Sequence, residues 1–144
     1  MTINPQTLLT AAREAAAHAY CPYSNFHVGA AVLADGNIFP GCNVENASYG
    51  LTICAERNAI FAAVASGARR IQAIALACVD ATEDAPATLR MPCGACRQVI
   101  AEFAAPETPV HIDSVGTLTV ADLLPSAFRL RLTQDEVERI RLWP

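Results

Sequence analysis

Two short cysteine-bearing segments, each at the opening of a helical stretch, place the tightest constraint on this chain. Cys54-Ala55-Glu56 opens one Ala-rich segment, and Pro92-Cys93-Gly94-Ala95-Cys96 opens another. A helix N-terminus carries about half a positive charge and lowers the pKa of a thiol placed there. Taken alone, the C-x-x-C pair is ambiguous between half of a zinc knuckle, a redox dithiol and a chance spacing. A structural zinc site takes four protein ligands, often as two such pairs. This chain has no second C-x-x-C, and His111, which could serve as a fourth ligand, reads better on its alternating strand as a surface or core histidine. Three thiolates from two helix openings could instead hold Zn²⁺ and leave the fourth tetrahedral position open. Glu56, two residues beyond Cys54, would then lie close enough to reach a water there without ligating the metal.

Length bears on what such a metal would be for. A chain of 144 residues, 53% hydrophobic and 17% charged, has the size of one domain, spanning 1–144. A domain this large buries roughly 70% of the surface its unfolded chain exposes, so it needs no metal merely to hold a core. The six cysteines with no export signal at the Met1-Thr2-Ile3-Asn4-Pro5 start suit a reducing, cytoplasmic setting. There, clustered cysteines point to metal or catalysis more often than to disulfides.

Charge excludes further classes. The net charge is −4, and all ten basic residues are Arg. Without Lys there is no Schiff-base or Walker-type lysine, and an acidic balance argues against binding a nucleic acid polymer. The longest apolar runs, such as 28–34 and 59–65, fall far short of the roughly 18 residues that span a bilayer.

The pattern of apolar residues alternates between strand and helix. Asn4 caps a helix with Pro5 at its first position, expected to run to about Tyr20 and to be ended by Cys21-Pro22. Runs at 28–34 and 38–44 flank Asp35-Gly36 and read as a hairpin. After a loop over 45–50 comes a helix over 53–66 closed by Gly67. The continuous apolar run 71–79 suits a central strand buried on both faces. A polar loop over 80–91 leads to a helix over 94–104. Short strands at 110–113 and 117–119, a helical turn at 122–124, and a last helix to about Trp143 opened by Thr133 and Glu136 complete the chain. Strands alternating with helices predict an α/β domain, a three-layer α/β/α sandwich whose five-stranded sheet is mixed because of the hairpin.

The two cysteine elements together match the zinc nucleobase-deaminase pattern, [H/C]-x-E followed by P-C-x-x-C, in which three-cysteine ligation is an accepted variant. With Gly41-Cys42-Asn43-Val44-Glu45-Asn46-Ala47-Ser48-Tyr49-Gly50, they make the chain resemble the cytidine deaminase family, of the short-chain homotetrameric type. The resemblance runs from Tyr23-Ser24-Asn25-Phe26 to Leu123-Leu124-Pro125-Ser126-Ala127-Phe128.

The resemblance implies that Cys54, Cys93 and Cys96 bind zinc, that Glu56 shuttles protons, and that Arg57 hydrogen-bonds ligand sulfur. Arg97, next to Cys96, is also available to sulfur. It implies that Asn43 and Glu45, with Val44 between them, hold ribose hydroxyls and that Phe26 packs on the pyrimidine. Ala47 and Tyr49 match positions that reach a neighbouring subunit's site, and Phe128 matches a ring contributed across an interface. The implied reaction is zinc-dependent hydrolytic deamination of cytidine and deoxycytidine, a step of pyrimidine salvage. A deaminase of a modified or antibiotic cytosine nucleoside is the nearest alternative. A thiol–disulfide oxidoreductase using Cys93 and Cys96 would leave Cys54, Glu56, Asn43 and Glu45 without work, and a zinc-binding interaction module would bind metal without turnover.

Overall fold

The computed structural model describes residues 2–130; the expected helix after Thr133 lies outside them. Five strands form one sheet in the order β2-β1-β3-β4-β5. They are β1 (Val28–Ala34), β2 (Asn37–Cys42), β3 (Ile71–Cys78), β4 (Pro109–Ile112) and β5 (Gly116–Thr119). Only β3 and β4 run parallel; the other neighbours are antiparallel, so the sheet is mixed as expected. Asp35 and Gly36, both at positive φ, make the two-residue hairpin turn whose backbone twist matches the flanking strands.

Helices cover both faces. On one, α1 (Pro5–Ala16) lays Leu8, Leu9 and Ala12 against Ala31, Leu33, Ala73, Ala75 and Ala77. On the other, α2 (Ala55–Ala65) and α3 (Gly94–Phe103) pack Ala59, Ile60, Ala63 and Ile100 against Ala30, Val32, Ile74, Leu76 and Val110. Side chains alternate across a strand, so the unbroken apolar run of β1 feeds both layers at once. Two glycines permit the close approach of helix to sheet. A Cβ at Gly29 would collide with the Ala12 carbonyl, and one at Gly41 with the Ala59 backbone nitrogen. A short α4 (Val120–Leu123) follows β5, capped reciprocally by Thr119 and Asp122.

Three boundaries near residues 43–45 differ from expectation, and backbone hydrogen bonds made by that segment explain them. The first helix stops at Ala16 rather than near Tyr20, because the Tyr20 N–H donates to Asn43 O and its carbonyl accepts from Glu45 N–H. The second helix starts at Ala55 rather than at Ile53, because Ile53 exchanges both backbone hydrogen bonds with Val44 at 2.9 Å. Strand β2 likewise ends at Cys42, and Val44 continues its line only as a bridge between Tyr20 and Ile53. The segments 49–51 and 87–90, expected as loop, each contain a single 3₁₀ turn. Among the described residues no helix is long and apolar enough to cross a membrane.

Candidate metal centre and its cavity

The N-terminal ends of α2 and α3 converge beside the central strands β1 and β3, close to the paired Val28 and Cys78. Cys54 is the N-cap of α2 and Cys93 the N-cap of α3, and neither spends its side chain on the usual capping bond. Cys96 sits in the first turn of α3, fully buried. The Sγ atoms of Cys93 and Cys96 are 3.3 Å apart, those of Cys54 and Cys93 3.9 Å apart, and all three lie within 4.8 Å of one another. Thiolates arranged tetrahedrally around Zn²⁺ at ~2.3 Å stand about 3.8 Å apart, so the three sulfurs fit this ion.

The groups around the sulfurs fit it as well. Arg57 Nη2 donates to Cys54 Sγ at 3.5 Å, while its buried Nε has no partner among the described residues. Its charge suits a site that gathers negative sulfur. The guanidinium is itself held even more firmly charged by the Cys54 sulfur. The Cys54 thiol is pulled well below its ordinary pKa, first by the hydrogen bond from Cys96 and then by Arg57. Cys96 moves the opposite way, chiefly because of Cys54. The two directions describe one event: a first proton lost at Cys54 makes a second loss beside it costly.

Glu56, in the first turn of α2, is only 4% exposed. Burial pushes its carboxyl up to about 7, with the Cys54 charge adding to the rise and Arg57 opposing it. A carboxyl poised there can take up and release a proton near neutrality. Arg97 does not share this role. Its Nε donates to Pro92 O at 2.8 Å and its Nη1 to Leu123 O at 2.6 Å, tying α3 to α4.

A cavity of about 250 Å³ opens beside this cluster. Its floor is Cys54, Ala55, Glu56 and Cys93, and Phe26, Asn43 and Glu45 line it as well. The extended backbone at Val44 explains the last pair, because alternate residues of an extended chain face the same way. Asn43 is buried, and its amide donates to Phe26 O at 2.8 Å and accepts from Val28 N–H at 2.9 Å. That use leaves the amide one N–H and one lone pair. Glu45 Oε1 accepts from the N–H groups of Tyr23 and Ser24 at 3.0 and 3.1 Å, and its carboxyl is held below its ordinary range, most by Ser24. Both side chains therefore brace the segment that carries Phe26.

Other expected residues lie outside this cavity. Tyr49 is 74% exposed and lines an adjoining groove with Tyr23, Ser24, Glu45 and Thr52; its ring meets that of Tyr23 edge-on at 5.9 Å. Val44 and Ala47 are on the surface, and Phe128 is 73% exposed. Sequence reasoning missed the apolar wall, made by Val28, Leu76, Cys78, Leu89 and Met91. Cys78, expected as a plain buried thiol, is pushed up to about 11 by burial, which keeps it neutral and apolar in that wall.

An α/β/α sandwich gathering three thiols and one buried carboxylate at two helix N-termini defines a class, the zinc deaminases. Comparison with known proteins agrees. A family model described as the cytidine and deoxycytidylate deaminase zinc-binding region matches residues 2–112. The chain is 48% identical over 128 residues to a cytidine deaminase of Sporosarcina psychrophila, covering 85% of this chain and 90% of that one. The crystal structure of cytidine deaminase from Burkholderia pseudomallei superposes with a TM-score of 0.79 at 47% identity, covering 88% of this chain and 100% of that one. That from Mycobacterium tuberculosis superposes at 0.76 with 41% identity, covering 90% and 100%. The chain belongs to the cytidine and deoxycytidylate deaminase family, and zinc is its cofactor.

Proposed function

We propose that this chain is a single-domain hydrolase that deaminates cytidine and deoxycytidine to uridine and deoxyuridine, releasing ammonia. The observation that carries the reading is the buried Glu56 carboxylate beside three sulfurs at the floor of a cavity lined by Phe26, Asn43 and Glu45. Cys54, Cys93 and Cys96 hold the zinc, which when bound supplies Lewis acidity that brings a water's pKa towards neutrality. Glu56 takes a proton from the water that attacks C4 of the pyrimidine. It delivers that proton to N3, then takes the proton of the hydroxyl now on C4 and passes it to the departing amine as the C4–N bond breaks and C4=O forms, acting as base and then as acid in each transfer. Arg57 draws negative charge from the Cys54 sulfur.

Phe26 gives the flat base an apolar platform. Asn43, with a donor and an acceptor to spare, and the ionised Glu45 meet the ribose hydroxyls. Val44, Ala47, Tyr49 and Phe128 stand on the surface, where a second subunit of a homotetramer would complete each site. The enzyme works in the cytoplasm in pyrimidine salvage. Against a thiol–disulfide oxidoreductase, the third sulfur and the carboxylate sit with the Cys93–Cys96 pair in one cluster.

The test is an absorbance assay with cytidine, deoxycytidine and free cytosine, run alongside zinc quantitation. Turnover of both nucleosides by protein holding one zinc per chain is expected. Zinc-loaded protein inert towards all three, or a metal-free protein with a reversible dithiol, would overturn the reading.

A further inference from the structure

The loop over residues 80–91 leaves β3 and re-enters the chain at Pro92, next to Cys93. Its sequence is polar and carries Pro86, yet it is tied down at both ends. At its start, Asp80 Oδ2 accepts the His27 N–H at 2.7 Å and lies 2.7 Å from His27 Nδ1. The loop is thereby fixed to the residue beside Phe26. At its end stands Arg90, a buried arginine, although charged side chains are almost never buried unless paired. Its Nη2 donates to Thr82 O at 2.7 Å and to Ala81 O at 3.3 Å. A single side chain thus draws the two ends of the loop together.

The residues flanking Arg90 explain why this matters. Leu89 and Met91 line the cavity that holds Cys54, Glu56 and Cys93, whereas Arg90 lines a second hollow of about 610 Å³ with Ala85, Ala87 and Val115, the two sharing only Cys78. The guanidinium therefore sits behind the wall that its neighbours present to the cavity. The side chains of that wall, Val28, Leu76, Cys78, Leu89 and Met91, offer nothing beyond one neutral thiol to hydrogen-bond, and that thiol already faces the Leu89 and Arg90 carbonyls. A cytosine ring has one edge that asks for nothing more: C5 and C6 carry only hydrogen, whereas C2, N3 and C4 bear or are polar atoms.

Resting on the deaminase reading above, we propose that Arg90 is a positioning residue for substrate selection. Its clamp on the Ala81 and Thr82 carbonyls sets the Leu89 and Met91 wall, which holds the C5–C6 edge of the pyrimidine and decides which 5-substituted cytosine nucleosides are accepted. A single methyl group in an apolar pocket changes kcat/KM by about 10- to 200-fold when the wall is firm. A loosened wall discriminates less.

The experiment compares kcat/KM for 5-methylcytidine and cytidine in the zinc-loaded full chain. Arg90→Met is expected to shift that ratio at least threefold, mainly through KM, at unchanged zinc stoichiometry. Leu89→Ala shifts it in the same direction. Arg90→Lys gives a smaller shift, about twofold, because an ammonium keeps charge and donors but lacks the planar fork. A wild-type ratio in folded, zinc-loaded Arg90→Met overturns the inference, as does a loss of rate that is equal for both nucleosides. Should Arg90→Met not fold, Arg90→Lys decides alone, and a wild-type ratio there overturns it. A wild-type chain inert towards cytidine is a separate result, which removes the deaminase reading itself before any variant is made.

Discussion

The floor and the mouth of the cavity are built on different terms. At the floor, Cys54, Glu56, Cys93 and Cys96 stand on the first turns of two regular helices, packed on the sheet, within one chain. At the mouth, Tyr23, Glu45 and Thr52 stand on loops and Tyr49 on a 3₁₀ turn, and Tyr49 remains largely exposed, as do Leu51 and Phe128 elsewhere on the surface. A floor set on rigid elements holds reacting groups to the tolerances that proton transfer demands. A mouth that leaves large apolar side chains uncovered has the make-up of a surface awaiting a partner. The reacting groups of the proposed mechanism therefore all stand on one chain, whereas the exposed side chains of the mouth are where the proposed homotetramer would complete recognition.

The largest effect belongs to the floor. Glu56→Gln is expected to lower kcat by roughly 10²- to 10⁴-fold, the range of a lost general acid–base, while zinc stoichiometry stays at one per chain. A variant with wild-type turnover would break the assignment of the floor to proton transfer. Next comes Arg57→Ala, which leaves the Cys54 sulfur without its guanidinium donor. Losing a hydrogen bond to a charged group costs about 1.5–3 kcal/mol, so a tenfold or larger fall in kcat/KM or in zinc affinity is expected. Unchanged rate and metal content would show that Arg57 does no work there.

The mouth should respond differently. Tyr49→Ala and Phe128→Ala are each expected to raise KM for cytidine about fivefold, the worth of about 1 kcal/mol of aromatic contact, with kcat within about twofold of wild type. Sedimentation should show a weakened assembly alongside. An intact tetramer with wild-type KM in both variants would erase the distinction between floor and mouth.

The same division governs what could be read from the residues alone. The floor was legible because its signal is local: three cysteines and a glutamate at fixed spacing, each at a helix opening. The start of α1, the Asp35-Gly36 turn and the doubly buried strand β3 were legible for the same reason. What escaped depends on contacts far apart in sequence. The ends of α1 and α2 shift because Tyr20 and Ile53 give their backbone groups to the segment around Val44. Arg97 turns from sulfur to Leu123 O, a partner 26 positions away. The wall of Cys78, Leu89 and Met91 forms only when the 80–91 loop folds back over β3, so no spacing announces it.

A pair that lines neither the floor nor the mouth gives the smallest expected effect and sharpens the comparison. Arg13, in the last turn of α1, grips Asp113 just past β4 with two hydrogen bonds, Nε to Oδ2 at 2.8 Å and Nη2 to Oδ1 at 2.5 Å. The Arg13 hydrogen bond, more than anything else, holds the Asp113 carboxyl below its ordinary range. A depressed carboxyl adds stability above its unfolded pKa of about 3.9 and loses it as pH falls through the lower folded value. Both side chains are partly exposed, so the pair is worth about 1 kcal/mol or less. Asp113→Asn should therefore lower Tm at pH 7 by about 4 °C or less, and the gap from wild type should close on acidification below pH ~3.9. Its kcat and KM for cytidine at pH 7 should match wild type. If they instead moved as far as those of Tyr49→Ala, general loosening of the fold would account for the mouth variants, and the contrast between floor and mouth would fail.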